Sequence, residues 1–282
     1  MPTAAADQLA KAIALRELHH QSQPFLLPNP WDAGTARLLS QAGFAALGTT
    51  SAGLAHSAGL PDGHNELGRD ATLANARAIV QASSLPVSAD LESCFATEPA
   101  GIAETIRLAA EAGVVGGSIE DATGAPADPI LPIEVAVQRV QAAVEAARAL
   151  PFPFTLTARA ENFLYGRADL DDTIRRLQAF EAAGADVLYA PALPDLAAVR
   201  AVCSSVGRPV NVLASPAFTV AELADCGVAR ISMGSALSRA ALGAVVQAAR
   251  ELLDSGTFTF LRAALPYAQA NSVMSERSER EQ

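Results

Sequence analysis

Glu111-Ala112-Gly113-Val114-Val115-Gly116-Gly117-Ser118-Ile119-Glu120-Asp121 carries the pattern that decides the fold. A helix-like segment closes on Ala112-Gly113, and the apolar run Val115–Ile119 follows. The run then ends in two carboxylates. Glycine suits the position just past a helix, where the backbone turns left-handed. The apolar run behind it reads as a buried strand.

The unit recurs. Gln41-Ala42-Gly43-Phe44 leads into Ala45–Leu47, Ala182-Ala183-Gly184-Ala185 into Val187–Tyr189, and Asp225-Cys226-Gly227-Val228 into Ile231–Met233. Three more runs are introduced by a proline: Pro86–Ala89, Phe154–Ala158 and Pro209–Leu213. Phe25–Leu27 completes a set of eight strands. Helical patterns over 33–42, 68–83, 97–112, 132–149, 169–183, 194–206, 218–226 and 235–253 separate them. Strands that alternate with helices and are apolar on both faces form a parallel sheet. Eight units in about 240 residues predict an α/β fold, a closed (β/α)8 TIM barrel. An open doubly wound sheet is the alternative, but no Gly-x-Gly-x-x-Gly follows the first strand. An extra N-terminal helix is expected over 4–21, with Leu9, Ile13, Leu15 and Leu18 as its apolar residues. Another is expected over 257–274, broken by Pro266. Residues 1–274 read as a single barrel domain and 275–282 as a charged, disordered tail.

Composition narrows the function. Half of the 282 residues are hydrophobic and the net charge is −10, with no basic run before the tail, so neither nucleic acid nor an anionic membrane is an expected partner. Cys94, Cys203 and Cys226 follow neither a disulfide nor a zinc spacing, which suits a reducing cytoplasm. No apolar run reaches transmembrane length, and no charged region followed by an apolar core opens the chain. There are nineteen arginines and one lysine, Lys11, which sits in the N-terminal helix. Lysine-imine chemistry needs a lysine in the pocket, so it is not expected.

In a barrel the chemistry lies at the C-terminal ends of the strands. Asn29, Trp31 and Asp32 follow the first strand, and Thr49, Thr50 and Ser51 the second. Asp90 and Glu92 follow the third, and Glu120 and Asp121 the fourth. Arg159, Glu161 and Asn162 follow the fifth. Tyr189 ends the sixth, Asn211 lies on the seventh, and Ser232 and Gly234 end the eighth. Asp90, Glu92 and Glu120, on neighbouring strands, converge. Such carboxylates repel one another unless a cation joins them, and an all-oxygen set suits Mg²⁺ or Mn²⁺ held partly through water. Arg159 supplies a fixed fork for a substrate carboxylate or a developing oxyanion, or else bridges to Glu120 or Glu161. His56 and His64 fall in the long loop after the second strand. Cys94 has no histidine partner in sequence and reads as inert. Gly234-Ser235 reads as a tight turn before the last helix.

Several ordered motifs carry a resemblance. They are Pro28-Asn29-Pro30-Trp31-Asp32 with Ser40-Gln41-Ala42-Gly43-Phe44, then Gly59-Leu60-Pro61-Asp62, Ala89-Asp90-Leu91-Glu92, Gly117-Ser118-Ile119-Glu120-Asp121 and Thr157-Ala158-Arg159-Ala160-Glu161. From about Phe25 to Ala244 the chain resembles the isocitrate lyase and phosphoenolpyruvate mutase superfamily. The resemblance implies a barrel that binds Mg²⁺ and a small 2-oxo acid. Asp90, Glu92 and Glu120 match the metal-site carboxylates, acting mostly through water, and Asp62 matches an aspartate near the substrate. Arg159 matches the arginine on the oxo acid. Thr50, Ser51 and Ala52 match the segment that holds the substrate carboxylate, and Asn211 joins that substrate-binding set. The family also exchanges its last helix between subunits, which implies a homo-oligomer, dimer or tetramer, swapping residues 235–274.

Two departures stand out. Family lyases carry a Lys-Cys-Gly loop after the fourth strand and mutases a lysine and an asparagine, whereas this chain has Ala122-Thr123-Gly124-Ala125-Pro126-Ala127-Asp128-Pro129. Glu92 stands where an aspartate is usual. The expected activity is a cytoplasmic Mg²⁺-dependent lyase that makes or breaks a carbon–carbon bond in a small 2-oxo or 2-hydroxy acid through an enolate. A phosphonopyruvate-type mutase or hydrolase is one alternative, and an oxo-acid-binding protein without turnover is another. His56, His64 and Tyr189 are the candidate proton donors.

Overall fold

The structure, a computed structural model, describes residues 4–63 and 66–275. The expected tail and His64 lie, apart from Ser275, outside the described residues. Eight parallel strands form one sheet: β1 Phe25–Leu27, β2 Leu47–Gly48, β3 Val87–Asp90, β4 Gly116–Glu120, β5 Thr155–Arg159, β6 Val187–Tyr189, β7 Val210–Leu213 and β8 Arg230–Ser232. Neighbours pair in sequence order from β2 to β8, and β8 returns to β1 through Phe25↔Arg230 and Leu27↔Ser232. Gly48 N–H donates to Pro28 O at 2.9 Å and brings β2 to the end of β1. The sheet is therefore a nearly closed (β/α)8 barrel, as the alternating pattern requires.

The helices are α1 Ala4–Leu18, α2 Ala33–Gln41, α3 Ser51–Ser57, α4 Gly68–Ala82, α5 Pro99–Glu111, α6 Ile133–Arg148, α7 Leu170–Ala182, α8 Leu196–Ser205, α9 Val220–Asp225, α10 Ala236–Ser255 and α11 Tyr267–Ser275. The helix-closing glycines behave as their motif demands. Gly113 has φ +96° and Gly184 φ +101°, and Gly43 and Gly227 are left-handed as well. Most strand boundaries move one or two residues toward the C-terminus, because each apolar run begins in the loop that enters the barrel. The main sequence-level error is α3. Ser-Ala-Gly-Leu-Ala-His-Ser lacks an amphipathic stripe and reads as loop, yet Thr50 Oγ1 caps it by accepting from Gly53 N–H at 3.2 Å. Residues 257–274 are not one helix either: Thr259–Arg262 is a 3-10 turn, and α11 begins only after Pro266.

The core has two parts. The larger lies between sheet and helices, with Leu47, Ile79, Ile106, Phe154, Leu177 and Leu188 fully buried. The smaller plugs the N-terminal end of the barrel, where Ala12 and Leu15 of α1 meet Phe25, Leu27, Ala46 and Val115. The buried face of α1 is thus Lys11, Ala12 and Leu15. Leu9, expected on that face, is 40% exposed. The plug depends on one missing side chain: a Cβ on Gly116 would lie 2.9 Å from Thr155 O and 3.0 Å from Leu15 Cδ2. Since a backbone oxygen cannot yield cheaply, Gly116→Ala is expected to cost about 1–3 kcal/mol of stability, read as a lower urea midpoint at unchanged slope.

Candidate functional site

The C-terminal mouth holds a cavity of about 180 Å³, lined among others by Thr50, Ser51, Ala52, Asp62, Asp90, Arg159, Tyr189 and Asn211. That is well below the ~300–1,000 Å³ of sites for drug-sized ligands, a volume that suits only a small molecule. Residues far apart in sequence converge here because Asp90, Arg159 and Tyr189 end three different strands and residues 50–52 follow a fourth.

Arg159 is the hub. Its Nη1 lies 3.0 Å from Asp90 Oδ1 and 3.0 Å from Glu120 Oε2, and Nε donates to Glu161 Oε1 at 2.8 Å. The guanidinium carbon sits 5.1 Å from the centroid of the Tyr189 ring, a cation–π contact. The bridging alternative and the cavity-lining role therefore hold together. Asp90 is the second hub. Its carboxylate accepts from Ser51 N–H at 3.1 Å, Ser51 Oγ at 2.9 Å and Ser118 Oγ at 3.3 Å, while Thr49 Oγ1 accepts from its backbone N–H at 2.8 Å.

Glu92 and Glu120 flank this pair, although neither wall of the cavity includes them. Glu92 sits at φ +49° in a turn where Cys94 and Phe95 are left-handed too. Such backbone is strained in non-glycine residues and persists only where neighbours hold it. Here Arg139 of α6 donates to Ser93 O and Thr97 O, Thr105 Oγ1 donates to Cys94 O, and Glu120 N–H donates to Glu92 O. Cys94 is buried, and burial pushes its thiol up to about 12, so it is inert as expected. Asp121 turns away from the mouth, accepting from Glu161 N–H at 2.8 Å and from Arg176 Nη1 at 3.0 Å.

Acid outweighs base in this volume. Burial, reinforced by the charges of Asp90 and Asp62, raises Glu92 to about 7. Burial and Asp90 raise Asp62, and burial raises Glu120 although Arg159 opposes it. The Arg159 guanidinium thus faces Asp62, Asp90, Glu92, Glu120 and Glu161, and Glu161 Oε2 is buried without a hydrogen-bond partner among the described residues. An excess of hard oxygen donors suits a divalent cation such as Mg²⁺. Among the described residues, no three such side chains surround a single point closely enough to hold a metal directly.

A raised carboxyl stabilises the fold only while protonated. For Glu92 that contribution is complete below its ordinary value of 4.5 and is lost as pH rises through about 7. Protein in chelator is therefore expected to melt a few degrees lower at pH 7.5 than at pH 5.5. Glu92→Gln narrows the gap, which thermal melts at the two pH values would read.

The remaining candidates separate. Asn211 lines the cavity, but its Nδ2 donates to Ser232 Oγ at 2.9 Å and its Oδ1 accepts from Arg230 Nε at 2.8 Å. His56 lies on α3, beside the charge of Asp62, and its Nδ1 is buried without a hydrogen-bond partner among the described residues. Tyr189 is pushed up to about 12 by burial and stays protonated at neutral pH. Gly234 turns left-handed at φ +52° before α10, and the Gly234 and Met233 N–H groups both donate to Asn29 Oδ1 at 2.9 Å. The segment 122–130 is a pinned hairpin: Thr123 N–H donates to Pro129 O at 2.9 Å and Leu131 N–H to Asp121 O at 2.8 Å. Ser88, Ser118 and Arg230, absent from the sequence-predicted set, line the cavity from within the strands. Their signal was the alternation of side chains: in Arg230-Ile231-Ser232 the outer two point inward.

Residues 15–253 match the phosphoenolpyruvate phosphomutase family. The chain belongs to the PEP mutase/isocitrate lyase superfamily. Within this superfamily it is 56% identical to a Burkholderia cenocepacia J2315 protein described as a candidate lyase/mutase. The TM-score is 0.92, over 96% of this chain and 97% of that one. It is 33% identical to 2-methylisocitrate lyase of Escherichia coli (strain K12), over 81% of each chain. A phosphonopyruvate hydrolase solved with oxalate and Mg²⁺ is 27% identical with a TM-score of 0.84, over 96% of this chain and 97% of that one. The superfamily is one of enzymes, with lyases, mutases and hydrolases among its members. Among the described residues no helix is long and apolar enough to cross a membrane.

Proposed function

We propose that the protein is a cytoplasmic Mg²⁺-dependent lyase that makes or breaks a carbon–carbon bond in a small 2-oxo or 2-hydroxy acid through an enolate. The observation that carries this reading is the pairing of Arg159 with surplus carboxylates around a cavity of about 180 Å³. Asp90, Glu92 and Glu120 would hold the ion, mostly through water. When bound, Mg²⁺ supplies Lewis-acid polarisation of the substrate's oxygens. Arg159, locked by Glu161 and stacked on Tyr189, stabilises the negative charge that grows on the substrate oxygen. Asp90 fixes Ser51 at the start of α3, and Thr50, Ser51 and Ala52 bound the place for a substrate carboxylate. Of the proton-donor candidates, Tyr189 holds its proton too tightly, and His56, next to Asp62, is the one to replace first.

The similarity to a phosphonopyruvate hydrolase supports a second reading, phosphorus–carbon cleavage. One screen separates the two: thermal shift with Mg²⁺ against oxalate, pyruvate, oxaloacetate, 2-oxoglutarate, phosphonopyruvate and methylisocitrate, followed by product analysis. A stabilising oxo acid that is cleaved at carbon supports the lyase, and release of phosphate from phosphonopyruvate replaces it with the hydrolase. Stabilisation without any product leaves only a binder.

The expected assembly is supported by the exposed apolar face of α10. Ser238 is its only buried residue, while Leu242, Val245, Val246, Leu252 and Leu253 are exposed. Residues 267–275 pack back on α2 of the same chain. The element to be exchanged with a second copy is then α10 with the 3-10 turn behind it. Light scattering that finds a monomer at micromolar concentration would refute the exchange.

A further inference from the structure

Beneath the Arg159 layer the barrel holds a second guanidinium. Arg230 opens β8, is buried, and lines the floor of the same cavity. Its Nε donates to Asn211 Oδ1 at 2.8 Å and its Nη2 to Thr157 Oγ1 at 3.1 Å, and Nη1 lies 3.2 Å from His19 Nε2. The state of His19 follows from its partners. Its Nδ1 lies 2.8 Å from Leu15 O, which can only accept, so Nδ1 carries the hydrogen. Nε2 is then a lone pair facing a group that can only donate. The ring is neutral, and burial together with Arg230 holds it down to about 3.

All three partners of Arg230 are therefore uncharged. Burial lowers Arg230 itself to about 10, so it keeps its charge at neutral pH. Arg159 is paired with three carboxylates, whereas among the described residues none forms an ion pair with Arg230. A guanidinium has five N–H donors, and three are directed at these neighbours, which leaves two. A buried charge without a counter-charge costs several kcal/mol, and this one opens onto a cavity.

We infer that Arg230 forms an anion subsite on the cavity floor and takes the distal carboxylate of a dicarboxylic 2-oxo acid whose oxo-acid end lies at Asp90 and Arg159. The inference rests on the oxo-acid reading above and narrows it to dicarboxylates. Two inward-facing cations at different depths define two ends for the ligand, and the small volume limits the chain between them.

The test is displacement of oxalate in chloride-free buffer with Mg²⁺, comparing oxaloacetate with 4-methyl-2-oxopentanoate, which replaces the distal carboxylate by an isopropyl group of similar shape. The wild-type protein is expected to prefer oxaloacetate at least about tenfold, the range for hydrogen bonds to a charged group. Arg230→Met abolishes the preference while oxalate affinity stays within about threefold. Asn211→Asp sets a carboxylate against Arg230 and abolishes it too, which covers the case in which Arg230→Met fails to fold. A preference that survives either substitution, or is absent from wild-type protein that binds oxalate, overturns the subsite alone. Failure of wild-type protein to bind oxalate overturns the oxo-acid reading as well.

Discussion

Arg159→Met is expected to abolish turnover and to destabilise the protein in a pH-dependent way. The substitution leaves Asp90, Glu120 and Glu161 facing one another without their shared cation. Removing one partner of a buried ion pair costs about 3–5 kcal/mol at neutral pH. The sign of the pH dependence is fixed. Burial already raises Glu120 and Glu161 against the opposing charge of Arg159, so without the guanidinium both hold their protons to still higher pH than in the unfolded chain. Stability is then greatest below about pH 4, where both states are protonated, and falls as pH rises through the raised folded-state values. A merely misfolded variant would not recover in acid. On the proposed mechanism turnover should fall at least about a thousandfold, because the group assigned to the growing oxyanion is gone. Thermal melts from pH 4 to pH 8, with single-turnover assays on the substrate found by the screen, check both parts. A variant whose melting point falls with pH no more steeply than that of the wild-type protein would refute the shared-cation role.

Asp90→Asn has the second largest expected effect, and it separates metal binding from folding. The carboxylate accepts from Ser51 N–H, Ser51 Oγ, Ser118 Oγ and Arg159. Asparagine keeps the shape but offers one acceptor oxygen instead of two and turns an N–H toward these donors. The strand end should survive, since the Asp90 backbone N–H remains bonded to Thr49 Oγ1. Mg²⁺-dependent oxalate binding should weaken about a hundredfold or more, because loss of even a supporting contact at a metal site costs about 10–100-fold. Calorimetry with and without Mg²⁺ reads this directly. Oxalate affinity that still rises with Mg²⁺ as in wild type would move the ion away from Asp90.

Much of this was legible from the residues. Alternating apolar runs and helix-closing glycines set the barrel, because both report local backbone needs that tertiary packing did not override. The strand-end acids were legible because carboxylates cluster at a barrel mouth for few reasons. What escaped was whatever depends on distance across the barrel. Nothing near Arg230 in sequence says that His19, 211 positions earlier, faces it. Helix α3 escaped because its small residues show no periodicity, and its one signal, Thr50, resembles a loop threonine. The strained turn at Glu92 escaped because none of Glu92, Cys94 and Phe95 is a residue type that announces a left-handed backbone.

The barrel also has a seam. Between β1 and β2 there is no ladder among the described residues, only the bond from Gly48 to Pro28 and the amide of Asn29, which donates to Thr49 O and accepts from the Met233 and Gly234 N–H groups. A side chain here does the fastening that backbone does elsewhere. The ring should open at this line first, by sub-global fluctuation rather than whole-molecule unfolding. The Gly48 amide would then trade its hydrogen with solvent sooner than the central amides of β4 and β5. Residues from both sides of that line, Asn29, Gly48 and Thr50, border the cavity. The least secure join in the wall thus lies beside the chemistry, where a small breathing motion could admit a ligand without disturbing the rest of the sheet.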